Sequence, residues 1–344
     1  MKALVKTAKG VGNLELRDVP EPTPAPSEVL IEIKAAGICG TDIHVKHDEF
    51  PYWPPVILGH EFAGEIVQVG AAVEGWQVGD RVTAEPHTKA CGVCPLCRTG
   101  NIQICPSKRS PGWGIDGAFA KYLAYPSHLL HRLPDNLSFV EAALAEPVAN
   151  IATDLLERAR VEPEDFVVVL GPGPIGLIAA QAAKAEGARA VMIVGTNADE
   201  AVRLKTARDL GIDYVVNLQQ EDPVAKCLEL TDGLGADLVV ECSGAPPAIA
   251  STPQYVRKLG RICAIGLTGK KPVQLDWDAF QGRVCTVIFN MSTFYTSWKK
   301  SLSMLASGKI NARAIITHEF PLEQWEDAFA AVENLTALKT VLIP

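Results

Sequence analysis

The fold of this chain is indicated most clearly by the stretch Phe166-Val-Val-Val-Leu-Gly-Pro-Gly-Pro-Ile-Gly176. Its first five residues are apolar, which is typical of a strand that is buried on both faces of a parallel sheet. Gly171, Gly173 and Gly176 follow with G-x-G-x-x-G spacing, and the Ala-rich segment 177–186 predicts a helix. A strand, a glycine turn and a helix in this order predict a dinucleotide-binding unit.

Each glycine of this turn has a separate expected role. Gly171 allows the tight turn, Gly173 lets the backbone approach a pyrophosphate, and Gly176 lets the helix pack on the strand. The free N–H groups at the start of the helix, near Pro174 and Ile175, are expected to face the phosphates. The alternative is a structural turn without a ligand. Further cofactor contacts are expected from residues near the ends of later strands, namely Ser243, Ile265, Gly266, Leu267, Phe289 and Asn290.

The end of the second strand bears on the choice of cofactor. An acid that binds the adenosine ribose is usual there, but this chain has Gly195, which removes repulsion against a 2′-phosphate. Thr196 and Asn197 could donate hydrogen bonds to such a phosphate, and Arg203 could pair with it. We therefore favour NADP over NAD. The alternative, NAD, would use the nearby acids Asp199 and Glu200.

Strands and helices alternate around this unit. The runs 214–216, 237–241, 261–265 and 284–289 are strand-like, and the alternation predicts an α/β fold with a parallel doubly wound sheet. The N-terminal third is β-rich instead. We expect a nucleotide domain over residues 149–293 and a second domain formed by residues 1–148 and 294–344.

Composition excludes several classes of protein. The 344 residues are 48% hydrophobic and 21% charged, unlike a disordered chain. A net charge of −8 argues against a general nucleic-acid or anionic-membrane binder. No apolar stretch suits a transmembrane helix or an N-terminal signal, so we expect a cytoplasmic protein. Nine cysteines without an export signal point to metal or thiol chemistry before disulfides.

Four cysteines are closely spaced. Cys91, Cys94, Cys97 and Cys105 lie in a loop that is rich in Gly and Pro, and four converging thiolates suit a tetrahedral Zn²⁺. Such a closed site has no open position, so its role would be structural. An iron–sulfur cluster and free thiols are the alternatives.

A second, dispersed set follows the first clear strand. Cys39, His60 and a carboxylate would form a mixed zinc site with one open position, which is the catalytic pattern. Glu61 follows His60 directly, and Glu146 precedes the nucleotide domain. For any one of these residues, a buried or surface role without metal is the simpler interpretation. Their joint occurrence beside a dinucleotide unit favours the metal.

These motifs together resemble the zinc-dependent medium-chain dehydrogenase/reductase (alcohol dehydrogenase) family over essentially the whole chain. Gly-His-Glu at 59–61 and the acid Glu146 are similar to its sorbitol/polyol and threonine dehydrogenase branches. The resemblance implies a Rossmann domain, a β-rich GroES-like catalytic domain, and NAD(P)-linked oxidation of an alcohol. Family members are usually dimers or tetramers, so we expect a homo-oligomer, with a homotetramer as one form.

The resemblance also implies roles for single residues. Cys39 and His60 would ligate a catalytic zinc, with Glu61 as third ligand. Glu146 would be an exchanging ligand or would hydrogen-bond to the zinc water and the substrate. Thr41 and His44 would form the proton relay.

Two departures from the family pattern limit what it implies. Val45 follows the relay histidine where sorbitol dehydrogenases tend to have Tyr, which puts sorbitol itself in doubt. The segment between the second strand of the nucleotide domain and Arg203 is about three residues longer than in NAD-using relatives, so this cofactor-binding loop differs from theirs.

The substrate expected from these residues is a secondary alcohol of a polyol or sugar. An amino alcohol acid such as threonine is the alternative, and its carboxylate would require a cation that the sequence does not identify. A non-catalytic NADPH-binding protein and a zinc-free quinone reductase fit less well, because the zinc and relay residues are present. Candidate pocket residues are Phe50, Trp53, Phe119, Phe289, Asn290, Met291, Ser292 and Thr293.

Overall fold

The structure, a computed structural model, describes residues 1–269 and 272–344. It contains two compact units. The first comprises Met1–Ala149, Met291–Ser307 and Ile316–Pro344, and the second comprises Asn150–Asn290 and Gly308–Ile315. Gly308–Ile315 thus packs with the second unit although it lies within the predicted segment 294–344.

The strands of the described residues are β1 (Lys2–Lys6), β2 (Leu14–Asp18), β3 (Glu28–Gly37), β4 (Val56–Ile57), β5 (Glu61–Val69), β6 (Arg81–Ala84), β7 (Tyr122–Pro126), β8 (Leu130–Arg132), β9 (Phe166–Leu170), β10 (Ala190–Gly195), β11 (Tyr214–Asn217), β12 (Ala236–Glu241), β13 (Val256–Ala264), β14 (Thr286–Phe289), β15 (Ile316–Pro321) and β16 (Lys339–Ile343). The α-helices are α1 (Gly40–Lys46), α2 (Pro95–Arg98), α3 (Phe139–Ala142), α4 (Ala145–Ile151), α5 (Pro174–Ala185), α6 (Lys205–Asp209), α7 (Pro223–Leu230), α8 (Pro246–Tyr255), α9 (Trp277–Arg283), α10 (Tyr295–Ala306), α11 (Ala312–Ile315) and α12 (Trp325–Glu333).

The second unit is built on a parallel sheet with the order β11-β10-β9-β12-β13-β14. Numbered from β9, this order is 3-2-1-4-5-6, which is that of the Rossmann fold. The central strand β9 is completely buried, as its apolar run predicts. The predicted α/β class and doubly wound sheet are therefore confirmed.

The first unit is mainly antiparallel. Its larger sheet has the order β15-β16-β3-β5-β6-β8, with β7 also paired to β3, and a smaller sheet has the order β2-β1-β4. Alternate residues of β3 are buried, which gives the strand one face toward the core. Both sheets contribute to one core, which includes Leu4, Ile31, Phe62 and Phe119. The site residues of this unit lie at the ends of β3, β5 and β16.

A short helix leads directly into one strand of the C-terminal segment. Ile315 ends α11, and β15 begins at Ile316. The side chain of Asn311 accepts the N–H of Ala314 at 3.1 Å, and this cap favours a helical turn before the strand.

A search of the described residues for membrane spans finds no helix with the length and hydrophobicity to cross a bilayer.

Candidate functional site

Three residues singled out from the sequence converge where β5 begins. Cys39 lies directly before α1, His60 directly before β5, and Glu61 is the first residue of β5. Strands β3 and β5 are antiparallel, and their register places Gly37 opposite Glu61. One ligand atom from each of Cys39, His60 and Glu61 lies within 4.8 Å of the others.

The surroundings of His60 are buried and rich in acids. Its ring meets the ring of Trp113 edge-on at a centroid distance of 4.8 Å, and Asp42 Oδ1 lies 3.7 Å from its Nδ1. Burial lowers the pKa of His60, but the charges of Asp42, Cys39 and Glu146 outweigh this effect and raise it to about 10. The acids around His60 therefore favour a positive charge at this position, which a bound metal ion can supply in place of the proton.

This donor set fits a zinc ion. A thiolate, an imidazole and a carboxylate are all zinc ligands, and three of them leave a fourth position open. Nδ1 of His60 is buried and has no hydrogen-bond partner in the part of the chain that the structure describes. Metal coordination by this imidazole would be consistent with that environment.

Two charged residues beside the cluster, Lys339 and Asp42, are not among the candidates that the sequence suggests. Lys339, on β16, is 3% exposed; its ammonium contacts Oε2 of Glu61 and donates to the carbonyl of Ile38 at 2.9 Å. Asp42 accepts the backbone N–H of Cys39 at 2.9 Å. In the sequence, Lys339 stands out only because it is a charged residue at the start of an otherwise apolar C-terminal strand.

The two residues of the expected proton relay lie on α1. The thiol of Cys39 donates to Oγ1 of Thr41 at a distance of 3.8 Å. His44 lies one turn further on, is partly exposed, and its Nδ1 is 2.9 Å from Oε2 of Glu49. Glu49, which the sequence did not suggest, can thus orient the imidazole.

Glu146 lies in the first turn of α4 and is 7% exposed. Its charge raises the pKa of His60. Burial lowers the pKa of Lys108 to about 8, and the charge of Glu146 partly opposes that shift. Glu146 therefore acts electrostatically on two groups that are distant from each other in sequence.

The four-cysteine loop also converges. The sulfur atoms of Cys91, Cys94, Cys97 and Cys105 all lie within 4.8 Å of one another, and the Sγ–Sγ distances of Cys91–Cys97, Cys94–Cys105 and Cys91–Cys105 are 4.0, 4.0 and 3.6 Å. A tetrahedron with Zn–S bonds of about 2.3 Å has S–S edges of about 3.8 Å, so this spacing fits zinc. A backbone N–H bond from Cys91 contributes most to lowering the pKa of Cys105 to about 6.

Not every aromatic residue considered for a pocket wall is placed to serve as one. Phe119 is completely buried and packs edge-on against Phe329 in the core. Phe50 packs edge-on against Trp113, and Trp53 is 48% exposed. Trp113, which contacts His60, was missed because a single Trp in a Gly-rich loop has no pattern of its own.

The glycine turn of the second unit has the expected geometry. Gly171 has φ of +101°, which favours glycine. A Cβ on Gly176 would lie 1.9 Å from the carbonyl oxygen of Gly171, whereas a Cβ on Gly173 would meet nothing within 4 Å. Gly176 is thus required by packing, and Gly173 faces open space at the start of α5. Pro174 and Ile175 form the first turn of that helix.

The loop after β10 is held by an acid. Asp199 accepts the backbone N–H and the hydroxyl of Thr196 at 2.9 and 2.8 Å, and Arg203 Nη1 lies 3.1 Å from its Oδ1. Asn197 is tied to Asn217 by a 2.9 Å hydrogen bond. A Cβ on Gly195 would lie 2.7 Å from Pro172, so packing as well as the cofactor can explain this glycine.

The other expected cofactor residues lie at the carboxyl ends of β12, β13 and β14 or directly after them. Glu241, missed in the sequence, accepts the backbone N–H of Ser243 at 2.9 Å, and its carbonyl accepts the N–H groups of Ile265 and Gly266. Leu267 and Phe289 are exposed, and Asn290 donates to Asp154 at 2.8 Å. All lie at the carboxyl edge of the parallel sheet, where such folds bind ligands.

The remaining cysteines are structural in their placement. Cys227 and Cys263 are buried, and Cys242 and Cys285 are half-buried. None of the nine cysteines, all of which lie in the described ranges, is in a disulfide.

Comparison with known proteins agrees with these features. Residues 25–135 match the alcohol dehydrogenase GroES-like domain, and residues 174–307 match the zinc-binding dehydrogenase family. A sorbitol dehydrogenase from Halalkalibacterium halodurans is 41% identical over 100% of this chain and 99% of its own. A D-arabitol-phosphate dehydrogenase from Enterococcus avium is 36% identical over 99% of this chain and 97% of its own.

A solved structure is also similar over the whole length. A zinc-binding dehydrogenase from Sinorhizobium meliloti 1021, bound to NADP, has a TM-score of 0.91 and 29% identity over 100% of this chain and 99% of its own. The resemblance inferred from the motifs is confirmed. The chain therefore belongs to the zinc-dependent medium-chain alcohol dehydrogenase family and is an NAD(P)-linked alcohol oxidoreductase.

Proposed function

We propose that this enzyme oxidises a secondary hydroxyl of a polyol or sugar-derived alcohol, with Cys39, His60 and Glu61 as ligands of a catalytic zinc. The observation that carries the proposal is the convergence of these three donors within 4.8 Å in a buried, acid-rich site. Zinc, when bound, supplies a Lewis acid that makes an alcohol hydroxyl more acidic. The sorbitol and arabitol-phosphate dehydrogenases that resemble the chain support the substrate class.

The chain's own residues have defined tasks in this proposal. Thr41 lies next to Cys39, and its hydroxyl accepts the proton that leaves the substrate hydroxyl while it releases its own proton toward His44. His44, held by Glu49 and partly exposed, passes the proton to solvent. Glu146 orients the substrate by hydrogen bonding.

Cys91, Cys94, Cys97 and Cys105 hold a second, structural zinc in our proposal. Four sulfur ligands fill a tetrahedral site and leave no position for substrate. This makes two zinc ions for each chain, one catalytic and one structural.

Gly173 and the start of α5 would hold the pyrophosphate of the nucleotide. We propose that the enzyme prefers NADP to NAD, although fewer groups in the structure support this preference than the sequence suggests. Thr196 and Arg203 both bond to Asp199, which reduces their availability to a 2′-phosphate. Nε of Arg203 is nevertheless buried and without a hydrogen-bond partner among the described residues.

We also propose a homo-oligomer, either a dimer or a tetramer, in the cytoplasm. Strand β14 is the last strand of its sheet and carries exposed apolar side chains, among them Val287 at 39% and Phe289 at 71%. An exposed apolar edge strand is a template for pairing with another chain, and a two-fold arrangement would cover it. Light scattering of the purified protein tests the oligomeric state.

The experiment that tests the activity is a substrate screen. Polyols, sugar acids, threonine and simple secondary alcohols are each supplied with NAD⁺ or NADP⁺, and reduction of the nucleotide is followed at 340 nm, roughly the absorption maximum of the reduced nicotinamide. We expect turnover of a polyol or sugar-derived alcohol, with a higher kcat/KM for NADP⁺. Turnover restricted to threonine would replace the proposed substrate class, and a strong preference for NAD⁺ would overturn the cofactor choice.

A further inference from the structure

Lys108 is a cation that the zinc and relay assignments do not use. Its Nζ donates to Oγ of Ser292 at 3.0 Å and to the carbonyl of Gln103 at 3.2 Å. Across residues 1–269 and 272–344, no carboxylate forms an ion pair with it. A partly buried ammonium without an acid in contact is costly, and burial lowers the pKa of Lys108 to about 8.

Arg109, the next residue, is similarly placed. Its guanidinium stacks over the ring of Trp53 at 4.2 Å, and Nη1 donates to the carbonyl of Lys108 at 2.8 Å. In the described part of the chain it has no acidic partner. Trp53 is half-exposed, so the stacked pair is accessible to a small molecule. Two adjacent cations thus have hydroxyl, carbonyl and aromatic neighbours, and neither forms a salt bridge with any residue that the structure describes.

A chain of contacts joins these cations to the proposed zinc ligands. The N–H of Trp53 donates to the carbonyl of Trp113 at 2.9 Å, and the ring of Trp113 meets His60 at 4.8 Å. In addition, the charge of Glu146 acts on both His60 and Lys108. Lys108 and Arg109 therefore belong to the surroundings of the metal cluster within the first unit.

We propose that Lys108 and Arg109 bind an anionic substituent, a phosphate monoester or a carboxylate, on the alcohol that the enzyme oxidises. The inference rests on the proposed function and narrows its substrate class. An ammonium and a guanidinium are the side chains that bind such anions most strongly. They would also offset the repulsion between an anionic substrate and the acids Glu61 and Glu146.

Matched pairs of alcohols test this proposal. D-arabitol is compared with D-arabitol phosphate, and 2-butanol with 3-hydroxybutyrate, so that each pair differs by one anionic group. We expect the wild-type enzyme to prefer the anionic member of one pair by roughly tenfold or more in kcat/KM, as a charge-assisted hydrogen bond allows. The pair that shows the preference identifies the phosphate or the carboxylate as the anion.

Variants then assign the preference to residues. Lys108→Met and Arg109→Gln should raise KM for the anionic alcohol roughly tenfold to a hundredfold, with a small change in kcat and with neutral alcohols unaffected. Lys108→Arg should keep the preference, and Arg98→Gln, an exposed arginine of the same cysteine-rich segment, should behave as wild type. Arg109→Gln provides the test if Lys108→Met does not fold.

A binding measurement supplements the kinetics. Inorganic phosphate should raise the Tm of the wild-type protein and raise it less in the two variants. The inference is overturned if the wild-type enzyme oxidises both members of each pair equally well, or if the variants affect neutral and anionic alcohols alike. If no alcohol of either kind is oxidised, the proposed function itself fails.

Discussion

The ammonium of Lys339 contacts the carboxylate of Glu61, and the two residues are only 3% and 1% exposed. The register that places them together runs through three strands, because β16 pairs with β3 beside Gly37, and Gly37 lies opposite Glu61 on β5. A Cβ on Gly37 would lie 2.3 Å from Oε2 of Glu61, so this approach depends on glycine. The carboxylate of Glu61, which we propose as a zinc ligand, therefore also contacts a buried ammonium group.

Replacing Lys339 by Met should destabilise the zinc-free protein by about 3–5 kcal/mol, because Glu61 would be left as an uncompensated buried charge. Bound zinc should recover part of this loss, since it offers Glu61 a second positive partner. Urea unfolding with and without a chelator measures both effects.

A second Lys–Glu pair provides the control for this variant. Lys46 lies 2.6 Å from Glu333, and both side chains are about a quarter exposed. Lys46→Met should lower the free energy of unfolding by about 1 kcal/mol or less, as is usual for ion pairs that solvent reaches. Equal losses of stability in the two variants would show that burial does not make the Lys339–Glu61 pair more important to the fold than the Lys46–Glu333 pair.

The glycine turn allows two substitutions with opposite outcomes. Gly176→Ala places a Cβ 1.9 Å from the carbonyl of Gly171 and should cost about 3 kcal/mol or more of stability. Gly173→Ala meets no protein atom within 4 Å and has φ of −67°, so the fold should tolerate it. Its Cβ should instead obstruct the pyrophosphate.

Calorimetric titration with NADP⁺ and thermal unfolding separate these effects. Gly173→Ala should keep the wild-type Tm and bind the nucleotide roughly tenfold or more weakly, whereas Gly176→Ala should lower Tm. A Gly173→Ala protein with unchanged affinity would contradict the placement of the pyrophosphate.

Local patterns in the sequence were sufficient for one part of this molecule. The glycine turn is predictable because its strand, turn and helix are contiguous, and the four cysteines are predictable because their spacing within one loop limits the geometry. Both predictions depend on short segments only.

Contacts between distant strands were not predictable in the same way. Lys339 reaches Glu61 through strand register, which depends on pairing across the whole sheet. The same holds for Asp199, a candidate ribose ligand, whose bonds to Thr196 and Arg203 depend on the geometry of the turn after β10. A single sequence does not show which of several nearby polar groups will pair.

Cys97→Ser should remove the structural zinc and leave the catalytic site in place. We expect a loss of about one zinc ion per chain and a fall in Tm of roughly 5 °C or more, since a structural metal contributes to folding. Cys285→Ser, which changes a half-buried thiol outside both clusters, is the control. Unchanged zinc content in Cys97→Ser would refute the four-sulfur site.

His44→Asn should slow alcohol oxidation roughly tenfold to a hundredfold at neutral pH, because proton transfer to solvent loses its carrier. Added imidazole should restore part of kcat, whereas KM and nucleotide affinity should change little. His47→Asn serves as a control, because His47 pairs with Glu333 and has no part in the proposed relay. The relay is wrong if both variants turn over at the wild-type rate.

The most direct test of the catalytic zinc site is the zinc content of Cys39→Ser, measured by mass spectrometry beside nucleotide affinity and alcohol oxidation. We predict about two zinc ions per chain in the wild-type protein and about one in the variant, with NADP⁺ affinity retained and alcohol oxidation abolished. A Cys39→Ser protein that keeps both zinc ions, or that oxidises alcohol at the wild-type rate, would contradict the assignment of Cys39, His60 and Glu61 as the catalytic metal site.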